Sequence, residues 1–365
     1  MSWRCGLIGL PNAGKTTIFN ALTAAGAETA VYPFSTINPN IGVVPVPDPN
    51  LEKLGELLKP ERLTPATIEF VDVAGLIAGA SKGEGLGNQF LAHIRDTDLL
   101  VHVVRCFDTP KCPHPLGSLD PVRDVEIVET ELMLADLEIL SRQRVKLEKK
   151  ARSGSKNTAV ALAALAKVEA GLNRGQWAKD VPLGKEEQEY LKTVALLTLK
   201  PYLFVANLSE AEFPKGPHFA ALKELARKRG VPVVPILGDL EAELMELPEA
   251  ERREFLQSLG LEEPGINRLI RESYRLLNLV TFYTIVGTEV RGWTVPAGTP
   301  APKAAGRVHS DMEKGFIRAE VMRLEDLVRL GSPAKIKEAG LLQVEGRDHL
   351  VQDGEILTFR FQRGV

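Results

Sequence analysis

Residues 9–16 read Gly9-Leu10-Pro11-Asn12-Ala13-Gly14-Lys15-Thr16, a complete G-x-x-x-x-G-K-[ST] pattern. The apolar run Arg4-Cys5-Gly6-Leu7-Ile8 before it suits a buried strand, and Thr17-Ile18-Phe19-Asn20-Ala21-Leu22 after it opens a helix. That strand–loop–helix context gives the pattern its meaning. The two glycines let the backbone curl so that successive N–H groups face a phosphate at the positive end of a helix. Lys15 is placed for the β- and γ-phosphates and the Thr16 hydroxyl for Mg²⁺. The chain is therefore expected to bind a nucleoside triphosphate on an α/β scaffold.

The rest of the chain has a legible order. From Gly6 to about Asp108, apolar runs alternate with helical patterns, as in a mostly parallel sheet wrapped by helices. Strands are expected at Ile68–Val73 and Leu99–Val104, then, after Pro201, at Tyr202–Ala206 and Val233–Leu237, with a helix around His218–Arg229 between the last two. Between them, residues from about 123 to 199 carry no strand signal. Val128, Leu132, Ala135 and Ile139 recur at heptad spacing, as do Ala161, Leu165, Val168 and Leu172. The turn-forming stretch Ala151–Asn157 separates the two series, which predicts an inserted antiparallel helical hairpin. Short β-rich runs at Thr281–Ile285, Arg291–Val295 and Glu355–Phe361 surround one helical pattern near Arg323–Leu330, with Asp353-Gly354 as a hairpin turn. Residues 281–365 thus read as a small separate α+β domain.

At 365 residues with 44% hydrophobic and 25% charged side chains, the composition is that of a soluble globular protein. The net charge of −3 excludes a wholesale nucleic-acid coat, so any RNA contact requires a local basic patch, and no DNA partner is expected. Cys5, Cys106 and Cys112 lack metal-ligand spacing and fit a reducing cytosol. Cys106 and Cys112 are either a redox pair or, in the commoner case, free thiols. Met1-Ser2-Trp3-Arg4-Cys5 runs straight into the first strand, so no leader is expected. No apolar stretch approaches the ~20 residues of a membrane span.

Other motifs extend the phosphate site. Asp72-Val73-Ala74-Gly75 ends a strand, so Asp72 is expected to hold Mg²⁺ through water and Gly75 to sense the γ-phosphate. Thr36, in Tyr32-Pro33-Phe34-Ser35-Thr36, is the candidate hydroxyl to complete the metal sphere. Asn207-Leu208-Ser209-Glu210 follows a strand where a GTPase carries N-K-x-D. Glutamate is a methylene longer than aspartate and crowds a guanine, while adenine lacks the 2-amino donor that an acid would accept. The Leu208 backbone can pair with adenine's 6-amino and N1 edge, so ATP is favoured over GTP. Leu76 stands where many small GTPases place a water-orienting glutamine, so intrinsic hydrolysis should be slow. Asn12, through a monovalent cation, or His114, swinging in from the loop Asp108–Asp120, are the two candidates to compensate. A loop histidine can equally be inert. Near the expected hairpin tip, Arg142, Arg144, Lys146, Lys149, Lys150, Arg152 and Lys156 face only Glu148. This is either a solvated face or an RNA-phosphate contact without base stacking.

Taken together, G-L-P-N-A-G-K-T-T, Y-P-F-S-T-I-N-P-N, D-V-A-G-L-I-A-G-A-S-K-G-E-G-L-G-N-Q-F-L and N-L-S-E resemble the YchF subfamily of Obg-type P-loop NTPases. The resemblance covers essentially the whole chain. It includes Ala304-Ala305-Gly306-Arg307-Val308-His309-Ser310-Asp311 and Glu313-Lys314-Gly315-Phe316-Ile317, which are similar to the family's TGS domain, a ubiquitin-like β-grasp. It implies an α/β Obg-type G domain at 1–122 and 200–280, an inserted α-helical coiled-coil hairpin at 123–199, and a TGS domain at 281–365. It also implies an ATPase that accepts GTP less well, using Mg²⁺ with K⁺ assistance. Asn12, Ala13, Gly14, Lys15, Thr16 and Thr17 would surround the phosphates, Asn207, Leu208 and Glu210 the base, and Thr16 and Thr36 the metal. Thr36, Gly75 and Leu76 would form the switch, with Lys15, Asn12 and His114 catalytic; the family places such a histidine in the loop after the fourth strand. Thr16 replaces the usual serine and keeps the hydroxyl. Partners implied are ATP and the cytoplasmic ribosome or its RNA, through the basic hairpin and the TGS domain. The alternatives are a true Obg-like GTPase, or a nucleotide-gated binding protein in which hydrolysis is incidental.

Overall fold

The computed structural model describes residues 2–24, 28–30, 40–73, 86–151 and 156–362. Thr36, Gly75 and Leu76 lie outside the described residues, as do the side chains of Lys150, Arg152 and Lys156. Among those described are the strands β1 (Arg4–Ile8), β2 (Glu28–Ala30), β3 (Asn40–Pro45), β4 (Arg62–Thr64), β5 (Thr67–Asp72), β6 (Leu99–Arg105), β7 (Tyr202–Asn207) and β8 (Val233–Ile236). They continue with β9 (Leu279–Val286), β10 (Glu289–Pro296), β11 (Phe316–Met322), β12 (Gln343–Glu345) and β13 (Ile356–Phe361). The helices that matter for the site begin with α1 (Lys15–Ala24), α2 (Pro49–Leu58), α3 (Leu86–Arg95) and α4 (Pro121–Ala151). They continue with α5 (Lys156–Leu172), α6 (Lys185–Leu191), α7 (Pro217–Arg229) and α8 (Gly238–Glu246).

The chain divides into two compact units: Trp3–Gly42 with Glu69–Leu269, and Val43–Ile68 with Ile270–Val365. This differs from the three-part division at 122, 199 and 280, for reasons that lie in the packing. In the first sheet the order is β2-β3-β5-β1-β6-β7-β8. From β5 to β8 every neighbouring pair is parallel, with Arg4 opposite Glu69 and Cys5 opposite Leu99 setting the register. All seven residues of β6 and all six of β7 are buried, as strands covered on both faces must be.

Helix α4, 31 residues and about 46 Å long, serves two cores. Val128, Leu132 and Ala135 were expected to face the returning helix. They pack instead in the α/β core with Leu100, Tyr202 and Phe204. Met133, Leu137, Ile139, Leu140 and Leu147 meet Ala164, Leu165, Val168 and Leu172 of α5. The helical segment is therefore rooted in the first unit. Asp136, fully buried on α4, fixes that root. Its carboxylate accepts from Leu197 N–H and Thr198 N–H, both at 2.8 Å, and from Thr198 Oγ1 at 2.6 Å.

The second unit holds a six-stranded mixed sheet, ordered β12-β11-β13-β9-β10-β4. The segment 43–68 belongs here because Leu51 and Leu54 of α2 pack with Tyr283 and Val290, and β4 pairs with β10. Asp48 caps α2 by accepting from Asn50 and Leu51 N–H, both at 3.0 Å, and also receives the Tyr283 hydroxyl at 2.8 Å. Asp353-Gly354 is a turn, with Gly354 at φ 84°, but it does not join a hairpin. It precedes β13, whose antiparallel partner is β11, and it anchors β9 through Thr281 N–H to Asp353 Oδ1 at 2.8 Å. Cys5 and Cys106 are buried and Cys112 is half-buried, and none of the three forms a disulfide.

Candidate functional site

The phosphate loop runs from the end of β1 into α1, and its glycines are dictated by contacts. A Cβ on Gly9 (φ 148°) would lie 2.4 Å from the Val103 carbonyl oxygen of β6. One on Gly14 (φ 92°) would lie 2.0 Å from Asn207 Nδ2. Both positions exclude any side chain. Asn12 takes the left-handed conformation (φ 62°) at the exposed crest of the loop, with Nδ2 3.5 Å from the Pro113 carbonyl.

Lys15 is buried and donates from Nζ to the carbonyls of Leu10 (2.8 Å) and Gly9 (3.2 Å). Burial lowers its pKa to about 8, against the opposing pull of Asp72. The Thr16 hydroxyl donates to Asp72 Oδ2 at 3.0 Å, joining the start of α1 to the end of β5. Burial raises the Asp72 carboxyl above its ordinary value, and the Thr16 bond and the Lys15 charge only partly offset this. A hydroxyl and a carboxylate at the mouth of the loop fit a hard cation completed by phosphate oxygens and water. No cluster of three or more His, Cys, Asp or Glu able to hold a metal by itself occurs among the described residues.

At the end of β7, Asn207 is wedged beneath the loop. Its Nδ2 donates to the Ala13 carbonyl at 3.0 Å and its Oδ1 accepts from Gly238 N–H, the first residue of α8, at 3.3 Å. It thus ties the phosphate loop to the sheet. Leu208 differs from expectation in one respect. Its N–H is taken by the Ile236 carbonyl at 2.9 Å because β7–β8 pairing continues one residue further, and its side chain lies in the core. The amide is therefore not available to adenine N1. Glu210 is exposed.

His114 is buried, packed in a small cavity shared with Leu10, Pro11 and Ala13 of the phosphate loop, and with Arg105 and Asp124. Its Nε2 is 2.7 Å from Asp124 Oδ2, and Leu116 N–H donates to its Nδ1 at 3.2 Å. In this arrangement it does not swing toward a phosphate. Asp124, Arg123 and Arg105 surround it without any local sequence signal. Asp124 stands ten residues from His114, among several acids of an amphipathic helix, and no local pattern distinguishes it. His102, on β6, is fully buried, and burial depresses its pKa to about 3, so it stays neutral.

Known proteins resemble this chain along its whole length. A family model described as 50S ribosome-binding GTPase matches residues 4–149, and the YchF-GTPase_C model, described as a protein of unknown function, matches residues 279–362. The Ribosome-binding ATPase YchF of Haemophilus influenzae is 50% identical over 361 residues, covering 99% of each chain. The protein of that name in Bacillus subtilis is 44% identical over 364 residues, covering 99% of this chain and 100% of the other. The solved structure of the Schizosaccharomyces pombe YchF GTPase superposes with a TM-score of 0.87 at 32% identity over 98% of each chain.

Proposed function

Because this chain belongs to the YchF family, we propose that it binds and slowly hydrolyses ATP, and that its nucleotide state governs binding to the cytoplasmic ribosome. The observation that carries the reading is the assembly of Lys15 with the Thr16–Asp72 pair at the adjoining ends of β1 and β5. Such a pair beside a buried ammonium suits the β- and γ-phosphates and Mg²⁺. Thr16 would hold the ion directly, Asp72 through water, and Thr36 would complete its sphere. The ion supplies neutralisation of the phosphate charge. K⁺ beside Asn12 is a further element of the reading, as is the catalytic role of His114. Thr36, Gly75 and Leu76 would form the switch, with Leu76 leaving hydrolysis slow.

The choice of ATP rests on the Leu208 carbonyl, an acceptor that suits adenine's 6-amino group and repels guanine O6. The S. pombe relative is named a GTPase, so the base is the first thing to test. The helical segment 123–199 is read as an inserted coiled coil and 281–365 as a TGS β-grasp. The basic side chains Arg142, Arg144, Lys146 and Lys149 on α4 would meet ribosomal phosphates. The expected result is tighter equilibrium binding of fluorescent ATP than of GTP, with Glu210→Asp narrowing the gap. Sedimentation with ribosomes should differ between ATP, a non-hydrolysable analogue and ADP. Tighter GTP binding overturns the base assignment, and identical sedimentation in every nucleotide state overturns the switch.

A further inference from the structure

The imidazole of His114 has no nitrogen to spare. Leu116 N–H donates to Nδ1, so that atom carries no proton. The ring proton is then on Nε2 and is donated to Asp124 Oδ2 at 2.7 Å, an assignment made from the two partners. A histidine that orients water or passes a proton at a phosphate needs one nitrogen facing the substrate. A carboxylate–imidazole pair of the catalytic kind leaves the far nitrogen open; here Leu116 occupies it.

Asp124 is itself held. Arg123 donates to Asp124 Oδ1 from Nη2 at 3.0 Å and from Nε at 3.3 Å. The same guanidinium reaches back to the Ser118 carbonyl at 2.6 Å and the Ser118 hydroxyl at 2.9 Å. Asp120 accepts from Arg123 N–H at 3.1 Å and closes the start of α4. The loop 114–118 is thus strapped to the first turn of that helix, beside Leu10, Pro11 and Ala13 of the phosphate loop. Arg105 lines the same cavity, 98% buried, its Nε donating to the Phe107 carbonyl at 2.9 Å and its Nη2 3.6 Å from Asp108 Oδ1.

We propose that Asp124 is a latch for His114, a positioning residue that keeps the ring buried and both its nitrogens engaged, and that release from Asp124 makes the ring available to the nucleotide. The proposal rests on the reading of His114 as a group that acts at the phosphates, and the test separates the two.

In the full-length protein, diethyl pyrocarbonate labelling is read residue by residue by mass spectrometry, with the exposed His309 as internal reference. Labelling of His114 should rise about tenfold or more in Asp124→Ala, the loss expected for a buried charge-assisted bond. It should rise less in Asp124→Asn, which keeps an acceptor. Asp124→Asn should also raise kcat for ATP with KM unchanged, and His114→Ala added to it should abolish the gain. Thermal melting of Asp124→Asn guards against misfolding. Unchanged His114 labelling in both variants overturns the latch. So does a fall in kcat in Asp124→Asn with His114 still protected, which indicates a catalytic pair. Increased labelling with no His114-dependent change in kcat supports the latch and refutes the catalytic reading of His114.

Discussion

Lys15 makes nucleotide binding a proton-linked event. In the free protein its ammonium is buried against two carbonyls, and its pKa is lowered to about 8. A triphosphate brings several negative charges to the same atom and must raise that pKa again. Near pH 7 and below, the lysine is charged both free and bound and adds no pH dependence to affinity. Above pH 8 the free protein has lost the proton and binding must take one up. A pKa of about 8 gives an uptake of about half a proton at pH 8 and about nine-tenths at pH 9, with affinity falling about tenfold between pH 7 and pH 9. Calorimetric titration of ATP at pH 8.5 in two buffers of different ionisation enthalpy measures the uptake directly. Phosphate ionisation is complete at this pH. Lys15→Arg, which stays protonated throughout, should show no uptake. A zero slope for the wild type, with constant affinity from pH 7 to 9, would refute the argument that burial sets the charge of this lysine. An equal slope in Lys15→Arg would assign the proton elsewhere.

Other perturbations test the scaffold. Asn207→Ala removes one donor and one acceptor from a buried site, at a cost of about 2 kcal/mol. It should lower the melting temperature by about 4–8 °C and weaken ATP binding; an unchanged melt would deny that Asn207 anchors the loop. Gly14→Ala drives a methyl into Asn207 and forces an unfavourable φ, so ATP binding should vanish in titrations up to millimolar concentrations. Asp136→Ala strands two buried N–H groups and a hydroxyl and should cost about 3 kcal/mol or more in denaturant unfolding. Thr16→Val removes the hydroxyl proposed to hold Mg²⁺, and ATP binding should lose most of its dependence on added Mg²⁺, as measured by titration with and without EDTA.

Several features followed from local sequence alone. Gly9 to Thr16 encode the phosphate loop because its geometry depends on a few adjacent residues, and glycine is needed wherever Cβ would strike β6 or Asn207. Leu99–Val104 and Tyr202–Ala206 announce fully buried strands because a strand covered on both faces has no polar side to alternate. The expected strands and the helices near 218–229 and 323–330 all lie within a few residues of where the structure has them.

Tertiary structure decided what covers each face. Heptad spacing marks Val128, Leu132 and Ala135 as one stripe, yet it is equally satisfied by a partner helix or by a sheet; here the α/β core claims them. For the same reason α2, with its leucines at helical spacing, gave no sign that it packs in the second unit. Contacts such as Asn207 with Ala13 or His114 with Asp124 join residues chosen by topology, and hydrogen-bonding groups carry no periodicity that names a distant partner. The sequence by itself determined that this chain makes a phosphate loop on a parallel sheet. Only folding decided that the loop is wedged by Asn207 and that His114 is held by the helix running to the basic tip. Local backbone geometry is written in neighbouring residues, whereas burial and pairing depend on which surfaces the chain brings together.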